Sequence, residues 1–78
     1  MTTVTKTVFQ YCKFENGKLS RDSFGPESSS LDLASKTFEQ STEEATWPVV
    51  AFVERSFRLG GDGDWHQTAE TIVKLDVL

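Results

Sequence analysis

Residues 48–59, PVVAFVERSFRL, decide the fold. Val49, Ala51, Val53, Phe57 and Leu59 recur at period two, with Arg55 the single break on that face. The alternate positions begin apolar (Val50, Phe52) and turn polar (Glu54, Ser56, Arg58). A β-strand points successive side chains to opposite faces, so this pattern predicts a strand that leaves a core for solvent. Such a strand belongs to an antiparallel sheet, and the rest of the chain reads as its cover.

Working back toward the start, Val4 to Phe14 alternates as well. Val4, Val8, Cys12 and Phe14 share one face, and Phe9 and Tyr11 share the other. The following Phe14-Glu15-Asn16-Gly17-Lys18-Leu19 is a hairpin signal, because Asn-Gly supplies the two positive φ values of a type I′ turn. A two-residue turn sets Glu15 against Lys18 and Phe14 against Leu19. The same register brings Phe9 opposite Phe24, so turn and cross-strand preferences agree. The first strand, from Thr3 to Phe14, is rich in Thr and Val and is expected to be able to pair with a neighbouring chain as a sheet edge.

Gly25-Pro26 ends the second strand, and Ser28-Ser29-Ser30 offers helix caps, with Ser29 and Asp32 at capping-box spacing. Leu31, Ala34, Phe38 and Ala45 lie near one helical stripe, which predicts a helix within residues 30–46. Its many Ser, Thr and Asp residues give little intrinsic helicity, and Glu43 and Glu44 in its last turn oppose the macrodipole. Docking on the sheet must therefore hold it. Trp47, before Pro48, is pushed to an extended conformation and terminates it.

Beyond residue 59, Gly60-Gly61-Asp62-Gly63-Asp64 is a loop. Residues 65–78 suit a strand with Trp65, Ala69, Val73, Leu75 and Val77 on one face. A helix starting at Asp64 competes, but Thr68, Thr71, Ile72, Val73 and Val77 are β-branched and favour the strand. The expected architecture is α+β in the order β-β-α-β-β. It is a four-stranded antiparallel sheet made of two hairpins, with one helix packed on one face. Seventy-eight residues make a single domain, 1–78, of modest stability.

Chemistry is sparse. Cys12 and His66 are the only cysteine and histidine, too few for a zinc site and not brought together by the predicted strands. Asp62-Gly63-Asp64 lacks the further oxygen ligands of a calcium loop, and Gly60-Gly61-Asp62-Gly63 lacks the lysine of a phosphate cradle. A sheet under one helix offers little cleft for paired carboxylates. No catalytic residue, metal or cofactor is expected.

Charge then carries the functional reading. Residues 1–26 hold four basic and two acidic side chains, and residues 27–78 hold ten acidic and four basic, for a net charge of −4. An acidic body is unsuited to direct nucleic-acid contact and suited to a basic protein surface. The candidate partner-binding residues are Arg58, Asp62, Asp64, Trp65 and His66 around the glycine loop, where an aromatic stands among charges. Glu39, Glu43 and Glu44 add a second acidic cluster on the helix side. A weaker option is nucleic-acid binding by Lys6, Lys13, Lys18 and Arg21, with Phe9 or Tyr11 stacking on bases.

In size, acidity, lack of a catalytic constellation and α+β layout, the whole chain resembles the small phage-encoded anti-CRISPR and related anti-defence inhibitors. That resemblance carries over no individual residue. It implies a non-enzymatic inhibitor whose acidic surface occupies a basic, nucleic-acid-binding surface of a larger protein. The rival expectation is a structural or assembly subunit that oligomerises through a sheet edge. The chain itself is expected to be a monomer or homodimer. One cysteine, no long apolar run and no secretory start point to the cytoplasm, that of the host if the gene is phage-borne, and to no membrane partner.

Overall fold

The computed structural model describes residues 2–78. Four strands, β1 (Thr5–Glu15), β2 (Lys18–Phe24), β3 (Val49–Leu59) and β4 (Trp65–Val77), form one antiparallel sheet in the order β2-β1-β3-β4. A helix, α1 (Leu31–Glu39), and a 3-10 turn at Glu44–Thr46 occupy the connection between β2 and β3. The α+β layout and the β-β-α-β-β order are as the residue pattern predicts.

β3 sits between β1 and β4, and its first half is covered on both faces. Val50, Ala51, Phe52 and Val53 are all buried. On one face Val50 and Phe52 join Tyr11, Ala34 and Phe38, with Phe9, Leu31 and Trp47 packed around them. Phe38 is the peg of this layer, with ring centroids 5.3 Å from Tyr11, 6.1 Å from Phe52 and 6.1 Å from Trp47. On the other face Ala51 and Val53 join Cys12, under Phe14, Leu19 and Phe24.

α1 is shorter than the sequence pattern suggests. Its cap is Ser30, whose Oγ accepts the Leu33 N–H at 3.2 Å, rather than the Ser29–Asp32 box. The helix stops at Glu39, and the Gln40 N–H closes the last turn on the Lys36 carbonyl. Only Ala34 and Phe38 are buried, so helicity persists just as far as the docked face extends. Ala45 falls in the separate 3-10 turn, exposed and off the expected stripe, and Glu43 and Glu44 are not on the helix at all.

The Asn-Gly turn is as expected, with φ of 56° at Asn16 and 77° at Gly17, and with Phe14 opposite Leu19 and Glu15 opposite Lys18. The register then breaks. Phe24 lies opposite Cys12, not Phe9, because Ser20 to Ser23 bulge out against the single residue Lys13. The Cys12 thiol fixes the start of this bulge by donating to the Ser20 carbonyl at 3.2 Å. Phe9 instead pairs with Ser28, through hydrogen bonds of 2.8 and 2.9 Å, so the chain past β2 continues alongside β1. That passage presses Gly25 against the Tyr11 ring, where a Cβ would come within 2.3 Å of the ring carbons.

Two further expectations are corrected. β1 is an interior strand, paired on both sides, so it has no edge to offer a neighbouring chain; the edges are β2 and β4. β4 is a strand, but bulges at Thr68 and Val73 shift its faces. Trp65 therefore shares the helix-free face with Leu75 and Val77, while Ala69, opposite Ser56, lies on the helix side.

Candidate functional site

The eight candidate residues separate into two groups at opposite ends of β3. Glu39, Glu43 and Glu44 precede it; Arg58 is its last residue but one, and Asp62, Asp64, Trp65 and His66 follow. Eleven strand residues span about 33 Å, so no single contact patch holds both groups.

At the far end the glycine loop is ordered by its own backbone. The Gly60 N–H donates to the Asp64 carbonyl at 2.8 Å, and Gly63 adopts a φ of 83°. The Asp62 carboxylate accepts the Asp64 N–H at 3.0 Å and lies 2.9 Å from His66 Nε2. The Asp64 N–H and then His66 hold the Asp62 carboxyl below its ordinary range. Gly60 leaves room for this pair, since a Cβ there would come within 2.6 Å of Asp62 and 2.7 Å of the imidazole. Arg58 and His66 are cross-strand partners on the helix side of the sheet, beyond the helix itself. Trp65 is 40% exposed on the opposite face, with the Lys6 ammonium 4.7 Å from its ring centroid. This end offers a tethered aspartate, a half-exposed indole under Lys6 and, among the described residues, one carboxylate without an ion-pair partner, Asp64.

The near end differs. Residues 27–46 hold five acids (Glu27, Asp32, Glu39, Glu43, Glu44) and one base, Lys36. The remaining residues hold seven of each sign, so this connection carries the whole net charge of −4. Among the described residues none of its acids has an ion-pair partner within 4 Å. All are exposed except Glu44, which is half-buried and, after burial itself, the main influence raising the Tyr11 phenol. The connection thus forms a negative layer over one face of a sheet whose strands hold seven basic and five acidic side chains.

Sequence reasoning missed a third group on the helix-free face. Arg55, which breaks the apolar pattern of β3, lies between the rings of Phe24 and Phe57, 4.9 and 5.2 Å from their centroids. It donates to Gln10 Oε1 at 2.8 Å and to Gln67 Oε1 at 2.7 and 3.0 Å. Gln10 is buried, and its amide donates to the Gly25 carbonyl at 2.8 Å. Glu70 stands 3.7 Å from Arg55 and takes two hydrogen bonds from Arg21. Gln10 and Arg55, polar residues set among the apolar Val8, Cys12, Val53 and Phe57, are the signal that could have located it. No buried polar side-chain atom among the described residues lacks a partner, and the network covers the β1–β3 part of that face.

Of the first-hairpin residues considered for nucleic-acid binding, all but Lys18 are engaged within the chain. Tyr11 is buried and Phe9 packs beneath the helix, so neither can stack on a base. Lys13 pairs with Glu15, Arg21 with Glu70, and Lys6 covers Trp65. Cys12 pairs with Ala51 and His66 with Arg58, seven positions apart along β3, or about 23 Å. Burial raises the Cys12 thiol further from its nucleophilic form. Among the described residues no three His, Cys, Asp or Glu side chains are grouped to hold a metal. Among the described residues no helix is long and apolar enough to cross a membrane.

No protein-family model, no curated protein and no solved structure matches the chain.

Proposed function

We propose that this protein is a non-enzymatic binding protein that lays its acidic helical layer on a basic surface of a larger protein, as an inhibitor would to exclude nucleic acid from it. The observation that carries this reading is the placement of the net charge. It is gathered on residues 27–46, on one face and without an ion-pair partner among the described residues, while the rest of the chain sums to zero. Charges that are already paired add little to docking, whereas free carboxylates steer encounter with a cationic surface and are screened by salt. The reading moves the weight from Asp62 and Asp64 to Glu39, Glu43 and Glu44, because the Asp62 carboxylate is occupied by His66 and the Asp64 N–H.

The test is affinity capture from the cytoplasm of the natural host, with three versions of the chain compared at low and high salt. The wild type retains a basic, nucleic-acid-binding protein at low salt and releases it at high salt. Glu39→Lys combined with Glu43→Lys and Glu44→Lys abolishes retention, and Asp62→Lys with Asp64→Lys weakens it less. Capture that ignores both salt and the triple reversal overturns the proposal.

A further inference from the structure

We infer that the outer edge of β4 is a self-complementary surface, and that two copies of this chain pair there antiparallel, about a two-fold axis through Leu75. The inference is independent of the acidic layer, which lies over β1 and β3 and stays uncovered in such a pair.

The two edges of the sheet are not equivalent. β2 is blunted by the Ser20–Ser23 bulge and by Arg21, which is turned onto Glu70. β4 runs for 13 residues, and past its second bulge the stretch from Lys74 to Val77 pairs regularly with β3 on its inner side alone. The Leu78 N–H points inward to the Pro48 carbonyl at 3.0 Å. Alternation along the strand then turns the backbone groups of Leu75 and Val77 outward, where no strand among the described residues meets them. The most exposed large apolar side chains gather at the same place: Val77 is 83% exposed, Leu78 58% and Leu75 48%.

A two-fold antiparallel pair requires a stretch that is complementary to its own reverse. Val73-Lys74-Leu75-Asp76-Val77 is one. Centred on Leu75, the pairing sets Leu75 against its own copy, with two backbone hydrogen bonds exchanged. Val73 falls beside Val77 on one face, and on the other each Lys74 faces the Asp76 of the second copy. Other centres conflict. An axis through Lys74 or Asp76 opposes like charges directly, and one through Val73 sets Asp76 against Glu70. An axis through Ile72 would match Lys74 to Glu70, but the bulge at Val73 places these on opposite faces and Glu70 is held by Arg21. In the single chain Lys74 and Asp76 meet each other at 3.3 Å, half-exposed, so both are available for exchange. An overlap of about five residues buries less than the roughly 800 Å² per partner of a standard interface, so the pair exchanges with monomer.

Sedimentation from about 1 µM to about 1 mM tests this. The wild-type mass rises with concentration from 8.8 kDa toward twice that value. Lys74→Asp alone and Asp76→Lys alone each oppose like charges across the axis and sediment as monomers, with circular dichroism unchanged. Mixed in equal amounts, the two variants form a heterodimer, because each then meets the opposite charge. The double variant Lys74→Asp with Asp76→Lys regains self-association. A wild type that stays monomeric throughout, or a dimer indifferent to either single change, overturns the inference.

Discussion

Arg21 on one edge strand grips Glu70 on the other through two hydrogen bonds of 2.7 and 2.8 Å, across the two interior strands between them. Four strands lying flat would hold the edges about 14 Å apart. The contact therefore records how far the sheet curls and how far the β2 bulge leans over its helix-free face. Arg55 stands beneath it, 3.7 Å from the same carboxylate.

That geometry makes stability depend on acid in a defined direction. Arg21, and behind it Arg55, hold the Glu70 carboxyl below its ordinary range, against a smaller opposing effect of burial. A carboxyl depressed in the folded state stabilises above its unfolded pKa, about 4.3, and loses that contribution as pH falls through the folded value. Glu70→Gln is expected to cost about 1 kcal/mol at pH 7, modest because the Arg21 side chain is largely exposed. It should also flatten the loss of stability below about pH 4.5. Urea midpoints of both proteins at neutral and acid pH measure this; parallel curves would deny Glu70 the role.

Phe38 predicts a second outcome. It is the one large buried residue of α1 and touches Tyr11, Phe52 and Trp47. Phe38→Ala should cost about 3 kcal/mol and release the helix from the sheet. The Trp47 emission should shift to the red in advance of global unfolding, while a variant with native emission and stability would show that α1 docks by other means.

How much of this was legible follows the range of each interaction. The β3 pattern and the Asn16-Gly17 turn act over a few residues, and both read directly as period and turn chemistry. The β2 bulge did not, because Ser20, Arg21, Asp22 and Ser23 are polar throughout and carry no alternation that a three-residue slip would violate. Once it slips, Phe24 moves from Phe9 to Cys12. Arg21 and Glu70 are 49 residues apart, and their meeting depends on the strand order, which neither hairpin specifies alone. The acidic layer was half visible. Dividing the charge at residue 26 showed an acidic remainder, but only the fold separates residues 27–46 from the balanced strands that follow.

Gly25 gives a third expectation. The Tyr11 ring occupies the space a Cβ would need, and the Gly25 N–H and carbonyl are held by the Tyr11 carbonyl and the Gln10 amide. Gly25→Ala must push the strand end or the buried ring aside, at a cost of about 1–3 kcal/mol. Gly61, where an added methyl would meet nothing within 4 Å and φ is not positive, is the control. Gly61→Ala should leave the melting temperature within about a degree or two of wild type. Equal effects at the two sites would contradict the packing described for Tyr11.

Cys12 completes the set, since its reactivity separates a structural thiol from a chemical one. The side chain is fully buried between Ala51 and Val53 and under Phe24, and it donates to the Ser20 carbonyl. Burial is the main cause raising its pKa, so at neutral pH the thiol is protonated as well as inaccessible. Native protein should therefore react with an aromatic disulfide reagent only as fast as it opens, and the rate should climb with urea in step with unfolding. Cys12→Ala, which keeps a small apolar group but loses the bond to Ser20, should destabilise by about 1 kcal/mol and loosen the β2 bulge. Rapid stoichiometric labelling of the folded chain would place the thiol at the surface, and with it the bulge that Cys12 anchors.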